Sequence, residues 1–98
     1  MSRVEIAPEV VNDFDRIFDH LAEQDPAHSA ARIGEIIQAI DVLEANPLIG
    51  RPAAGGKREL IIGRGSRGYV ALYRYVVELD AVFVLAVRGQ REGGYRRS

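Results

Sequence analysis

The chain has no cysteine. That removes disulfides, thiolate nucleophiles and cysteine-held metal sites together. Histidine is almost as scarce. His20 and His28 are the only two, and a helix break separates them. They lack the i, i+4 spacing that sets two ligands on one helical face, so they read as solvated side chains. No metal and no cofactor is expected. No apolar run approaches the roughly 20 residues that cross a bilayer. Met1–Ile6 carries no apolar signal segment. These absences point to a cytoplasmic protein with no membrane partner. The four serines, at positions 2, 29, 66 and 98, have no nucleophile-elbow context and no evident histidine partner. Gly63-Arg64-Gly65-Ser66-Arg67-Gly68 matches a dinucleotide-binding fingerprint in letters. A strand follows it where that fingerprint needs a helix, so it reads as a hairpin turn.

At 98 residues, the sequence suits one domain spanning residues 1–98. Its 47% hydrophobic and 28% charged residues are ordinary for a soluble protein. The net charge of -1 conceals a strong polarity. Residues 1–50 hold three basic and ten acidic side chains, a net of -7; residues 51–98 hold ten basic and four acidic, a net of +6. Either the two halves pair across the fold, or the second half presents a basic surface.

Val4-Glu5-Ile6 predicts a short strand. Pro8 and Glu9 suit a helical first turn. Val10, Val11, Phe14, Ile17, Phe18 and Leu21 then recur at helical spacing, which predicts an amphipathic helix over about residues 8–23 with Asn12, Asp13, Asp15, Arg16 and Asp19 on its polar side. Asp25 is the expected N-cap of a second helix, with Pro26 in its first turn. That helix carries Ala30, Ile33, Ile36, Ile37, Ile40 and Leu43 and stops at Asn46-Pro47. Gly50–Gly56 reads as a loop and Glu59–Ile62 as a short strand. Gly68–Val77 reads as a tyrosine-rich strand. Ala81–Val87 is apolar throughout, as a strand buried on both faces or lying at a partner interface would be. Short turns between the last strands imply an antiparallel meander. The order is β-α-α-β-β-β, an α+β fold with a helical hairpin packed on a mainly antiparallel sheet.

Arg64, Arg67, Arg74, Arg88, Arg91, Arg96 and Arg97 mingle with Tyr69, Tyr73, Tyr75 and Tyr95, a mixture that suits a nucleic-acid surface. Tyr69 and Tyr73 fit core packing better, on one face of their strand. The tail after Arg88 has no such alternative, because Gly93-Gly94 precludes a packed helix there.

Asn46-Pro47 with Gly50-Arg51-Pro52, then Arg58-Glu59-Leu60, Gly68-Tyr69 and Tyr73-Arg74, then Val84–Arg88 leading to Gln90-Arg91-Glu92 and Tyr95, follow one another behind two helices. In that order the chain resembles the RelE/ParE family of toxin–antitoxin toxins. The resemblance implies a small toxin neutralised by a cognate antitoxin encoded beside it. RelE-like members cut mRNA on the ribosome; ParE-like members act on DNA gyrase. Arg91 and Tyr95 match the C-terminal Arg and Tyr of the nuclease branch. Val70 stands where that branch has an arginine, and Leu60, Ile61 and Ile62 stand where it has lysines. The resemblance therefore implies a ParE-like binding inhibitor of gyrase without catalytic residues of its own. A metal-independent ribosome-dependent endonuclease using Arg91 and Tyr95 is the alternative, and a non-toxic binding relative a third. Expected target contacts are Arg64, Arg67, Arg88, Arg91, Tyr95, Arg96 and Arg97. Expected antitoxin contacts are Phe14, Phe18 and Leu21, with Val82 and Val84 of the last strand.

Overall fold

A computed structural model describes residues 1–64 and 68–95. The elements run β1 (Arg3–Ile6), α1 (Val10–Gln24), α2 (Ser29–Asp41), β2 (Arg51–Ala53), β3 (Lys57–Ile62), β4 (Tyr69–Val76) and β5 (Ala81–Gly89). The sheet order is β1-β5-β4-β3-β2. β1 lies parallel to β5, and the other three pairings are antiparallel. This is the expected α+β architecture, two helices on a mixed sheet, with one more strand than the sequence suggested.

The helices bury the stripes that their spacing announced. Val10, Ile17 and Leu21 of α1 and Ile36 and Ile40 of α2 join Leu43, which follows in a 3₁₀ turn. They meet Ile62, Ala71, Tyr73, Val82, Val84 and Val87 of the sheet, with Phe14, Ile33 and Tyr69 packed against them. Each fully buried Leu or Ile contributes roughly 1.5–3 kcal/mol of transfer free energy. α2 ends in that 3₁₀ turn, Val42–Glu44, where the Asn46 backbone N–H and side-chain amide both donate to the Val42 carbonyl.

β5 is the central apolar strand. It runs between β1 and β4, and Ala81, Val82, Val84, Ala86 and Val87 are all buried. Tyr73 sits in the core, and its hydroxyl accepts the Gly50 N–H at 2.9 Å. The β4–β5 turn is set by Asp80, whose φ of 46° is left-handed. Its carboxylate accepts from Ser2 Oγ at 2.6 Å and Tyr75 Oη at 2.8 Å, tying the chain start to this turn.

Three local expectations are corrected. Within the expected Gly50–Gly56 loop, Arg51–Ala53 forms an edge strand on β3, and Pro52 suits an edge because its missing N–H leaves no ladder gap. Asp25 makes no capping hydrogen bond; its carboxylate turns instead to His28 Nδ1 at 2.8 Å and Arg32 Nε at 3.4 Å. Asp13 does not join the polar side of α1. It is 1% exposed, because it falls three residues after Val10 and four before Ile17, on the core stripe.

Candidate functional site

The meander register decides where the basic residues gather. Ile62 pairs with Tyr69, and Tyr69 with Gly89. The β3–β4 connection and the departing tail therefore lie at the same end of the sheet. That end carries Arg64, exposed just after β3, together with Arg88 and Arg91. Beside it, a cleft of about 620 Å³ opens between the helices and the sheet. Ile17, Leu21 and Tyr69 contribute its apolar wall, and Arg32, His20 and Arg91 stand at its polar rim. Arg67, Arg96 and Arg97 lie outside the described residues.

The face of the sheet opposite the helices has its own cluster. Leu60, Ile62, Ala71 and Tyr73 face the core, so alternation puts Glu59, Ile61, Val70, Leu72 and Arg88 on the other face. There Tyr95 folds back from the tail. Its hydroxyl donates to Glu59 Oε2 at 2.6 Å, and the Arg88 guanidinium lies 5.0 Å from its ring centre. Glu59 also pairs with Arg51 at 3.0 Å. The Tyr95 hydrogen bond, then Arg51 and Arg88, hold the Glu59 carboxyl below its ordinary range against the opposing effect of burial. Burial, then the bond to Glu59, push the Tyr95 phenol well up.

These shifts define a pH window. Glu59 is depressed in the fold, so its contribution is present above its ordinary value of 4.5 and lost as pH falls through the folded value. Tyr95 is raised, so its contribution is present below its ordinary value of 10.0 and lost as pH rises beyond it. Tail protection measured by amide exchange should therefore fall as pH drops below 4.5. Glu59→Gln should flatten that acid limb. An unchanged acid limb in the variant would mean that Glu59 does not hold the tail.

Arg88 is further wrapped by the tail turn, its Nη1 donating to the carbonyls of Gly89 at 3.1 Å and Glu92 at 3.2 Å. On the helix side, Arg16 holds the same turn. Its Nε and Nη2 donate to the two Glu92 carboxylate oxygens at 2.9 and 3.0 Å. Its Nη1 donates to Asp13 Oδ1 at 2.9 Å. Asp13 Oδ2 accepts the Val87 N–H at 3.0 Å, and Arg16 Nη2 donates to the Val87 carbonyl at 3.2 Å. Glu92 Oε2 in turn accepts the Gly89 N–H at 2.7 Å. A continuous polar chain thus runs from α1 through the tail turn to Arg88, Tyr95, Glu59 and Arg51.

The family model for the ParE toxin of the type II toxin–antitoxin system parDE matches residues 4–93. The chain belongs to the ParE toxin family. Three solved structures share its fold. A chromosomal ParDE toxin–antitoxin system from P. aeruginosa superposes at TM-score 0.76 with 22% identity, covering 91% of this chain and 96% of that one. A RelBE toxin–antitoxin complex from Mycobacterium tuberculosis superposes at 0.62 with 22% identity, covering 91% and 98%. The intact E. coli RelBE toxin–antitoxin complex superposes at 0.61 with 17% identity, covering 94% and 99%. Comparison with curated proteins gives no match.

Within this ParE-family fold, Arg91 and Tyr95 are not brought together. Arg91 lines the helix-side cleft, whereas the arginine that stacks on Tyr95 is Arg88. Sequence spacing could not separate them, since both precede Tyr95 and only the turn after β5 sends them to different sides.

The expected antitoxin contacts divide. Val82 and Val84 are fully buried, and their strand is flanked by β1 and β4. Neither a side chain nor a strand edge is free at those positions, so both belong to the core of this fold. Leu21 is also buried in the core. Phe14 packs partly against the core, and Phe18 stands 43% exposed. Val11, 57% exposed, extends the Phe14–Phe18 stripe along α1. Among the described residues, no cluster of three or more His, Asp or Glu side chains could hold a metal ion, and no helix is long and apolar enough to cross a membrane.

Proposed function

We propose that this chain is a type II toxin that binds DNA gyrase through the basic end of its sheet and is neutralised by a cognate antitoxin docked on α1. The observation that carries the reading is the Glu59 carboxylate on the open sheet face. Cleaving RNA without a metal needs a base, an acid for the leaving oxygen and positive charge around the phosphate. Here the open face offers exposed Ile61 and half-buried Leu72, Val70 being buried, and Glu59 neutralises the neighbouring Arg51 and Arg88. The Tyr95 proton is committed to Glu59. An approaching phosphate would meet an arginine whose charge is already compensated, since the Arg51 side chain is 59% exposed and the Glu59 side chain paired with it 16%. That arrangement favours recognition over strand cleavage.

The target contacts are Arg64, Arg88, Arg91 and Tyr95; Arg67, Arg96 and Arg97, which the sequence adds to them, lie outside the described residues. The family match and the toxin–antitoxin assemblies among the structural relatives support an antitoxin partner. The exposed Val11–Phe14–Phe18 stripe suits the apolar face of a partner segment. Adding purified toxin to gyrase should abolish supercoiling, and antitoxin should restore it. Arg64→Glu and Arg91→Glu, both at exposed positions, should each weaken inhibition by about tenfold while leaving Tm unchanged. Full supercoiling activity at saturating wild-type toxin would sink the gyrase reading. Ribosome-dependent transcript cleavage lost in Tyr95→Phe would put the nuclease in its place.

A further inference from the structure

We propose that Arg16 is a positioning residue for toxicity: from α1 it clamps the tail turn and thereby sets the pose of Arg88, Arg91 and Tyr95, without itself meeting the target. The inference rests on the reading that the tail end of the sheet meets the target.

The tail leaves the sheet after Gln90, whose N–H donates to the Gly68 carbonyl at 2.9 Å. Gly93 and Gly94 have no side chains, and a Cβ at either position would meet nothing within 4 Å. Beyond Gln90 the side-chain anchors are Glu92, held by Arg16 and by the Gly89 N–H, and Tyr95, held by Glu59 and Arg88. The second anchor depends on the first. The carbonyls that wrap Arg88 belong to the turn whose Glu92 side chain Arg16 grips. A single phenol–carboxylate bond does not offset the entropy of ordering several glycine-rich residues. Arg16 is suited to the task by its geometry. One planar guanidinium serves both oxygens of Glu92, one oxygen of Asp13 and the Val87 carbonyl. A lysine ammonium offers no such fork. The base of the clamp is fixed because Asp13 is buried and tied to the β5 backbone.

The test uses the full chain with two substitutions, Glu92→Gln and Arg16→Lys. Glu92→Gln is isosteric and leaves the Asp13–Arg16 pair intact, so it separates tail release from misfolding. Amide exchange across residues 90–95, Tm, growth arrest on expression and gyrase supercoiling are measured together. The expected result is about tenfold faster exchange in the tail and about tenfold lower potency in both variants, with Tm and the exchange of β3–β5 unchanged in Glu92→Gln; Arg16→Lys also loosens the β5 edge at Val87, so its Tm falls and its potency is compared at equal folded protein. Tail exchange unaltered in both variants would overturn the proposal. So would a released tail with full potency. If wild type arrests growth yet leaves supercoiling intact, the gyrase reading falls alone, and exchange with growth arrest still decides the role of Arg16.

Discussion

Asp13→Ala is expected to lower the unfolding free energy by about 3 kcal/mol, at the lower end of the range for breaking a buried ion pair. That would move Tm by roughly 12–24 °C in a domain of this size, a large part of a total stability of about 5–15 kcal/mol. Asp13 closes an open sheet edge. β1 pairs with β5 only as far as Val84, and Val84 still receives the Ala7 N–H at 2.9 Å. Beyond it, the Val87 N–H and carbonyl would face α1 unpaired. Asp13 accepts the first and Arg16 donates to the second, so two side chains of a helix stand in for the missing strand. Alanine orphans the buried N–H and removes one of the acceptors of Arg16. The loss stops short of the maximum because the Arg16 side chain is 25% exposed and keeps Glu92. Asp13→Asn preserves an acceptor for Val87 but turns an amide toward Arg16, and should cost about 1–2 kcal/mol. Urea unfolding measures both. An alanine variant within about 0.5 kcal/mol of wild type would remove this account of the edge.

The same residue shows where sequence reasoning stops. Periodicity located both helices to within a few residues, because Val10, Ile17, Leu21, Ile36 and Ile40 repeat as a core stripe must. It assigned Asp13 to solvent by chemistry alone, although its spacing from Val10 and Ile17 put it on the buried stripe. A charged residue at a core position is a signal that something buried needs it. Here that something is a strand edge that no local pattern displays. The edge strand Arg51–Ala53 was hidden for a different reason. Glycine and proline around it read as loop, and only the pairing partner Lys57–Glu59 makes it a strand.

The functional end was partly legible. The charge polarity between the halves and the tail after Arg88 were plain in the sequence. The partnership of Tyr95 with Glu59 was not, because 36 residues separate them and only the tail reversal brings them together. Sequence likewise could not tell that Arg88, rather than Arg91, meets Tyr95. Arg88 lies at the end of β5 and Arg91 three residues on, and the turn at Gly89–Glu92 that separates them is fixed by Arg16 from another element. What the sequence carried best was what repeats. What it concealed were contacts made once, between distant residues.

Gly50→Ala should cost about 3 kcal/mol, combining overpacking with a lost buried hydrogen bond. A Cβ built on Gly50 would lie 2.7 Å from Tyr73 Cε1, 2.7 Å from the Tyr73 hydroxyl and 2.8 Å from the Glu59 carbonyl. Cβ atoms do not approach that closely, and neither neighbour can yield. Tyr73 is fully buried among the core side chains, and the Glu59 carbonyl belongs to a strand paired on both sides. The chain entering β2 must then withdraw, which stretches the Gly50 N–H bond to Tyr73 and the Arg58 contact to the Gly50 carbonyl, now 2.8 Å. Tyr73→Phe alone should cost about 1–3 kcal/mol by leaving that N–H unpaired. The two changes share one hydrogen bond and one clash, so the double variant should be less destabilised than the sum of the singles by at least about 0.5 kcal/mol. Denaturant midpoints of the four proteins measure this coupling. Strict additivity would show that Gly50 and Tyr73 act independently, and that the glycine is required for a reason other than the tyrosine ring against which it packs.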